Sequence, residues 1–225
     1  MIKYIGHPKT LTDLKESIKL ATNIFKQNNN NINYNKKLIL WKYKKKIDLK
    51  SIIIIKDNKN NIIGLTRLIP KKFKLNNKIL NVCGLSSICI HEKYRSKGLS
   101  IKLINYSLQY AQNNYFDLAI LFARKNLDHY YNQFGIFGVS HYSSLTINSS
   151  DLLSQCKEKY DLKKIKISDL KSVQKIYNTT YLKCNGVFYR DLNFWKYIMH
   201  KNKIDKNKFE IIKDKKNILG YLIRK

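Results

Sequence analysis

The residues best suited to chemistry in this 225-residue chain stand together at 88–100, as Ile88-Cys89-Ile90-His91-Glu92-Lys93-Tyr94-Arg95-Ser96-Lys97-Gly98-Leu99-Ser100. An apolar run gives way to a short basic loop, after which Leu99, Leu103 and Tyr106 recur at helical spacing. The main-chain N–H groups of residues 95–100 therefore fall at a helix N-terminus, where no intrahelical carbonyl takes them and the macrodipole is positive. Gly98 lets a ligand approach the backbone with no Cβ in the way, and Arg95 and Lys97 add two cations. Arg95, Ser96, Lys97, Gly98, Leu99 and Ser100 together predict a pocket for a diphosphate.

Such a loop needs a strand before it and a helix after it, and periodicity supplies both. Residues 11–26 place Leu11, Leu14, Ile18, Ala21, Ile24 and Phe25 three and four apart, which predicts an amphipathic helix capped by Thr10 or Thr12. Residues 28–37 read as an Asn/Lys loop, followed by an aromatic stretch with Trp41 and Tyr43. Four consecutive isoleucines at 52–55 predict a buried strand over 51–56. Turn residues at 57–61 return the chain as a second strand over 62–73, and Asn76-Asn77 leads to a third over 79–90. Beyond the loop, 99–112 predicts a helix and 118–123 a strand parallel to its neighbour. Residues 126–134 predict a helix stopped by Gly135, and 139–147 a last strand.

This order predicts an α/β domain over residues 1–150, a connector at 151–162 and a partial repeat over 163–225. In the repeat, residues 165–170 open a helix through Val173, Ile176 and Tyr177, and Phe194-Trp195 is similar to the Trp41 stretch. Residues 209–223 parallel 51–65 as strand, turn and strand, but nothing corresponds to 88–112.

Composition narrows the functional classes. Lys+Arg 44 against Asp+Glu 15 leaves a formal net charge of +29, while hydrophobic residues at 44% and aromatics at 12% make the chain globular. That charge would suit a phosphate backbone. The arginines, however, are only Arg67, Arg95, Arg124, Arg190 and Arg224, and lysine rises together with Asn and Ile as A/T-rich codons would dictate. The lysines read as a solvated coat, and a nucleic-acid partner is not expected. Cys83, Cys89, Cys156 and Cys184 form no C-x-x-C pair and no cluster with histidine, so free thiols and no metal are expected. The absence of an 18-residue apolar run and of an apolar leader segment predicts a cytoplasmic protein with no membrane span.

The loop resembles the acyl-CoA signature R/Q-x-x-G-x-G/A of the GNAT superfamily of N-acetyltransferases, with Arg95, Gly98 and Ser100 in its three places. Asn126 and Tyr131-Asn132-Gln133-Phe134-Gly135-Ile136 are similar to that superfamily's second acyl-CoA motif. The Tyr-x-x-Phe-Gly form and the restart at 163 most resemble the tandem-domain enhanced-intracellular-survival type. The likeness covers 3–147 well and 163–225 partly. It departs at Ser100, where relatives carry Gly or Ala, and at His91, where many carry proline. Tandem relatives run on through a complete second domain and a further C-terminal domain, so the half ending at Lys225 is expected to be either a truncated product or a shorter architecture.

The resemblance implies a GNAT-like mixed central sheet with flanking helices, followed by an incomplete second GNAT-like half. The third strand and the 118–123 strand would splay, and the pantetheine arm of acetyl-CoA would pair with the backbone of Ile88, Cys89 and Ile90. An amine would attack the thioester directly, leaving Cys89 as packing. Tyr131 matches the family's general acid, and a phenol near ~10 can protonate a thiolate whose ordinary pKa is ~8.5. Tyr130 beside it is the competing phenol. A strand N–H near Ile88 would hold the oxyanion. Relatives with a base on the third strand place it near Val82, apolar here; His91 and Glu92 at the strand end are expected in a solvated turn.

The implied activity is N-acetyl transfer from acetyl-CoA to a small-molecule or peptide amine, with an acceptor site built by the loops at 28–45 and 70–78 and by the second-half segment. The alternatives are tRNA-dependent aminoacyl transfer and a non-catalytic module binding acyl-CoA or nucleic acid.

Overall fold

The computed structural model describes residues 2–27, 49–123, 125–138, 160–204, 206–214 and 217–224. The loop expected at 28–37, the Trp41 stretch, the strand expected at 139–147 and nearly all of the expected connector lie outside them. The chain divides into two compact units, Met1–Ile136 with Gly186–Tyr189, and Phe137–Asn185 with Arg190–Lys225.

In the first unit the order is β1 (Ile2–Gly6), α1 (Leu11–Gln27), β2 (Ile52–Asp57), β3 (Ile62–Leu75), β4 (Lys78–Ile90), α2 (Leu99–Asn113), β5 (Leu118–Ile120) and α3 (Asp128–Asn132). The isoleucine run decides the layering. Ile52 to Ile55 are at most 2% exposed, so β2 is covered on both faces. Alternation sends Ile52 and Ile54 against Leu14, Ile18, Ala21 and Ile24 of α1, and Ile53 and Ile55 toward the cluster of Leu99, Leu103 and Ala111 of α2. Each such burial contributes on the order of 1.5–3 kcal/mol, which makes β2 the anchor of the sheet.

The strands run β1-β2-β3-β4-β5, antiparallel except for the parallel β4–β5 pair. The sheet is mixed and flanked by helices. Thr10, not Thr12, caps α1: its Oγ1 accepts the Asp13 N–H at 3.1 Å. Asp13 in turn accepts from Lys56 Nζ at 2.6 Å and ties the helix to β2.

The second unit contains β6 (Asp161–Lys164), α4 (Leu170–Tyr181), α5 (Leu192–Ile204), β8 (Lys208–Asp214) and β9 (Asn217–Arg224). Its sheet runs β6-β8-β9, all antiparallel. The first strand pairs with the second and the second with the third, as β1, β2 and β3 do. Leu170, Val173, Tyr177, Trp195, Phe209 and Ile211 form the buried interior. The helix expected from 165 begins only at Leu170, because 161–164 is strand and 167–169 a 3-10 turn.

Between α4 and α5 a short strand, β7 (Val187–Tyr189), belongs to the first unit and pairs with Lys72–Lys74 on the β3 edge that β2 leaves free. Among the described residues no helix is long and apolar enough to cross a membrane.

Candidate functional site

Two irregularities in β4 create the site. The β3–β4 register holds from Leu75↔Lys78 to Arg67↔Ser86 and shifts by one at Leu65↔Cys89. Thr66 therefore faces both Ser87 and Ile88, and Ser87 takes φ +54. This is a β-bulge, which turns main-chain groups out of the ladder and bends the strand. On its other edge β4 pairs with β5 only from Val82↔Leu118 to Gly84↔Ile120. From Leu85 onward that edge has no strand partner among the described residues.

A cavity of about 290 Å³ lies beside the open end. Ile88, Cys89 and Ile90 form one wall, Arg95, Ser96, Leu99 and Ser100 another, joined by Tyr94, and Leu127, Tyr130 and Tyr131 close it. Thus eight of the residues singled out from sequence meet on one cavity: Ile88, Cys89, Ile90, Arg95, Ser96, Leu99, Ser100 and Tyr131. Lys97 and Gly98 stand exposed on the loop, and Asn126 is exposed in the 3-10 turn before α3; none of the three lines the wall. Val82, where a carboxylate would sit in some relatives, is fully buried core.

The loop is shaped by its own hydrogen bonds. The Arg95 N–H is taken by Glu92 O at 3.1 Å, so the outward amides begin at Ser96 rather than at Arg95. The N–H groups of residues 96–100 find no acceptor among the described residues. Ser96 at φ +59 and Gly98 at φ +67 give the loop two left-handed turns, an arrangement that gathers amides around an anion. A Cβ built on Gly98 would meet nothing within 4 Å, so the space above it is open. Arg95 Nε donates to Ile90 O at 3.3 Å, which fixes the guanidinium at the end of β4. Lys97 Nζ sits 5.6 Å from the centre of the Tyr94 ring.

Tyr94 was not marked by the sequence, yet it anchors this loop. Its hydroxyl donates to Asp57 Oδ2 at 2.8 Å, at the start of the β2–β3 turn. Asp57 also accepts the N–H groups of Lys59 at 2.9 Å and Asn61 at 2.8 Å, and the Asn61 side chain at 3.1 Å. Desolvation pushes the Asp57 carboxyl up, but the bonds from Asn61, Tyr94 and Lys59 outweigh it and hold it at about 2.

A carboxyl lowered on folding contributes stability above its ordinary ~3.9, which is lost as pH falls toward the folded value. Asp57→Ala should therefore melt on the order of 5 °C below wild type at pH 7. The gap should narrow as pH drops from 4 to 2; a constant gap in melting curves would rule the carboxylate out as the anchor.

The thiols on β4 are inert. Burial pushes Cys89 up to about 12 and Cys83 to about 11, so neither is a thiolate at neutral pH. Cys89→Ala should leave turnover within about threefold of wild type. Iodoacetamide should label the exposed Cys184 before either; rapid loss of activity with labelling at Cys89 would reverse this assignment.

Tyr131 is half-buried, and burial first, then Tyr130, pushes its phenol above the ordinary value. The short α3 turns at Gly135, φ +70, where the Ile136 N–H donates to Tyr131 O at 3.3 Å. The Tyr130 ring meets Tyr131 edge-on, with centres 5.2 Å apart. No group of three or more His, Cys, Asp or Glu side chains gathers as metal ligands among the described residues.

The family model described as Acetyltransferase (GNAT) domain matches residues 7–140, more than half of the chain. The chain belongs to the GNAT acetyltransferase family. No curated protein matches it.

Solved structures share the fold of this GNAT chain. A GCN5-related N-acetyltransferase from Anabaena variabilis superposes with TM-score 0.72 at 16% identity, over 99% of this chain and 54% of that one. A probable N-acyltransferase from Enterococcus faecalis V583 gives TM-score 0.72 at 13% identity, over 98% and 54%. Eis1 from Mycobacterium abscessus gives 0.64 at 11%, over 98% and 53%. At such identities the likeness is one of fold, and this GNAT chain spans about half the length of each.

Proposed function

We propose that this GNAT chain transfers an acetyl group from acetyl-CoA to a primary amine. The observation that carries this is the parting of β5 from β4 after Gly84, beside a cavity walled by the 94–100 loop and Tyr131. The pantetheine arm would complete the open β4 edge through the main chain of Ile88, Cys89 and Ile90. The diphosphate would rest on the amides of residues 96–100, with Arg95 and Lys97 balancing its charge. Asn126 stands exposed ahead of α3, where the second acyl-CoA motif places its asparagine.

The neutral amine attacks the thioester carbon, forming the C–N bond and a tetrahedral oxyanion. A strand N–H near Ile88, beside the bulge at Ser87, would hold that oxygen. Collapse breaks the C–S bond, Tyr131 gives its proton to the departing thiolate, and the proton lost from the amine restores the Tyr131 phenol by way of solvent. No enzyme nucleophile is needed, in keeping with the protonated Cys89.

Incubation of the purified chain with labelled acetyl-CoA and an amine library tests the proposal. Label in at least one amine is expected. No transfer, together with no melting shift from acetyl-CoA, would overturn it.

A further inference from the structure

We propose that the Ser87 hydroxyl is a second donor to the carbonyl oxygen of the reacting thioester, acting beside the strand N–H near Ile88. This rests on the acyl-transfer reading above and deepens it at the oxyanion. Among the described residues six other than glycine have positive φ, and Ser87 is the one of them that lies inside a strand. A bulge residue in this left-handed conformation is ordinarily glycine, because a Cβ crowds the following carbonyl. Serine adds to glycine only a hydroxymethyl group, and strain of this kind is kept where the side chain has work to do.

That hydroxyl is uncommitted and reachable. It forms no hydrogen bond among the described residues, and it is not sealed in the interior: Ser87 is partly exposed and its oxygen is open to solvent. Thr66 across the strand is engaged elsewhere, its Oγ1 donating to Ser86 O at 3.4 Å.

The bulge also sets where the hydroxyl stands. Cys83 and Leu85 pack on the α2 side of the sheet and so do Ile88 and Ile90, whereas Cys89 packs on the α1 side. Ser87 is the inserted residue at which the alternation reverses, between Gly84, where β5 parts, and Ile88, where the cavity wall begins. Covalent geometry keeps its Oγ within about 4 Å of the Ile88 nitrogen in every rotamer. Rotation about one bond therefore brings an O–H and an N–H onto one oxygen at about 3 Å, the spacing that stabilises developing charge. As the C–N bond forms, that oxygen gains the negative charge, and it returns the electron pair when the C–S bond breaks. The hydroxyl keeps its proton throughout, which leaves Tyr131 as the acid.

Ser87→Gly separates this from a structural role, because stability and turnover move in opposite directions. With the strain relieved, the free variant should melt roughly 1–3 °C above wild type. Its kcat should fall on the order of 100-fold, and equally with every amine that the wild type acetylates. Affinity for acetyl-CoA and KM for the amine should stay within about threefold. Ser87→Ala keeps the strained backbone without the hydroxyl, so it should lose kcat to the same extent and melt no higher than wild type.

Wild-type kcat in either variant would overturn the role of Ser87 and leave the acyl-transfer reading standing. So would a raised amine KM with kcat kept, which would make the hydroxyl a holder of the acceptor. Wild-type protein that acetylates no amine and gains no melting shift from acetyl-CoA would remove that reading, and this one with it.

Discussion

Gly98→Glu should abolish the rise in melting temperature that acetyl-CoA gives the wild type. At 100 times its Kd the ligand stabilises by about 2.7 kcal/mol, which is roughly 5–10 °C for a chain of this size. Gly98 precedes the first residue of α2 at φ +67, among amides with no acceptor among the described residues. A Cβ there meets nothing, so the substitution does not fail by collision. Its cost in the free protein is the left-handed backbone, about 1–2 kcal/mol for any residue with a side chain.

Gly98→Gln carries the same backbone cost without the charge, and the pair isolates electrostatics. Glu should bind acetyl-CoA on the order of 100-fold more weakly than Gln at low salt, and the gap should shrink as salt screens it. Equal affinities for Glu and Gln would mean that no diphosphate sits over this loop.

Tyr131→Phe should lower turnover by about 100-fold to 10,000-fold, the range that general acid catalysis contributes. Acetyl-CoA binding should stay within about threefold of wild type, because the reacting proton adds little to ground-state affinity. Burial and Tyr130 raise the Tyr131 phenol, so the acid is in its active, protonated form throughout neutral pH. Activity that depends on it is lost only as pH rises past its ordinary ~10 and through the raised value. The same sign governs stability: the raised phenol favours the fold below ~10, and that contribution disappears above it. Turnover by Tyr131→Phe equal to wild type would remove Tyr131 as the acid, and Tyr130→Phe in the same assay would show whether its neighbour takes the part.

The prediction at 52–55 and the structure agree because four β-branched apolar residues in sequence suit only a strand covered on both faces. Helical spacing at 11–26 and 99–112 was equally plain, since side chains three and four apart share a face whatever the partner. The loop at 94–100 could be read because its chemistry is local: amides before a helix, a glycine and two cations within a few residues.

Other features were out of reach. Residues 2–6 are too short a run to mark by pattern, and they form β1 through pairing with Ile54, Ile55, Lys56 and Asp57 of β2. β7 is three residues long and exists through its pairing with Lys72–Lys74. Tyr94 reads as one tyrosine among sixteen until the fold brings Asp57 to its hydroxyl, 37 positions away.

The amino-acid order alone determined the helices at 11–26 and 99–112, the strand at 52–55, and a basic, glycine-containing loop just ahead of the second helix. Those properties follow from side-chain period and from groups adjacent in the chain. Only the tertiary structure decided that β4 bulges at Ser87 and parts from β5 after Gly84, and that Tyr130 and Tyr131 arrive at that opening. These depend on pairing and packing between residues far apart in sequence, whose free energy no local pattern contains.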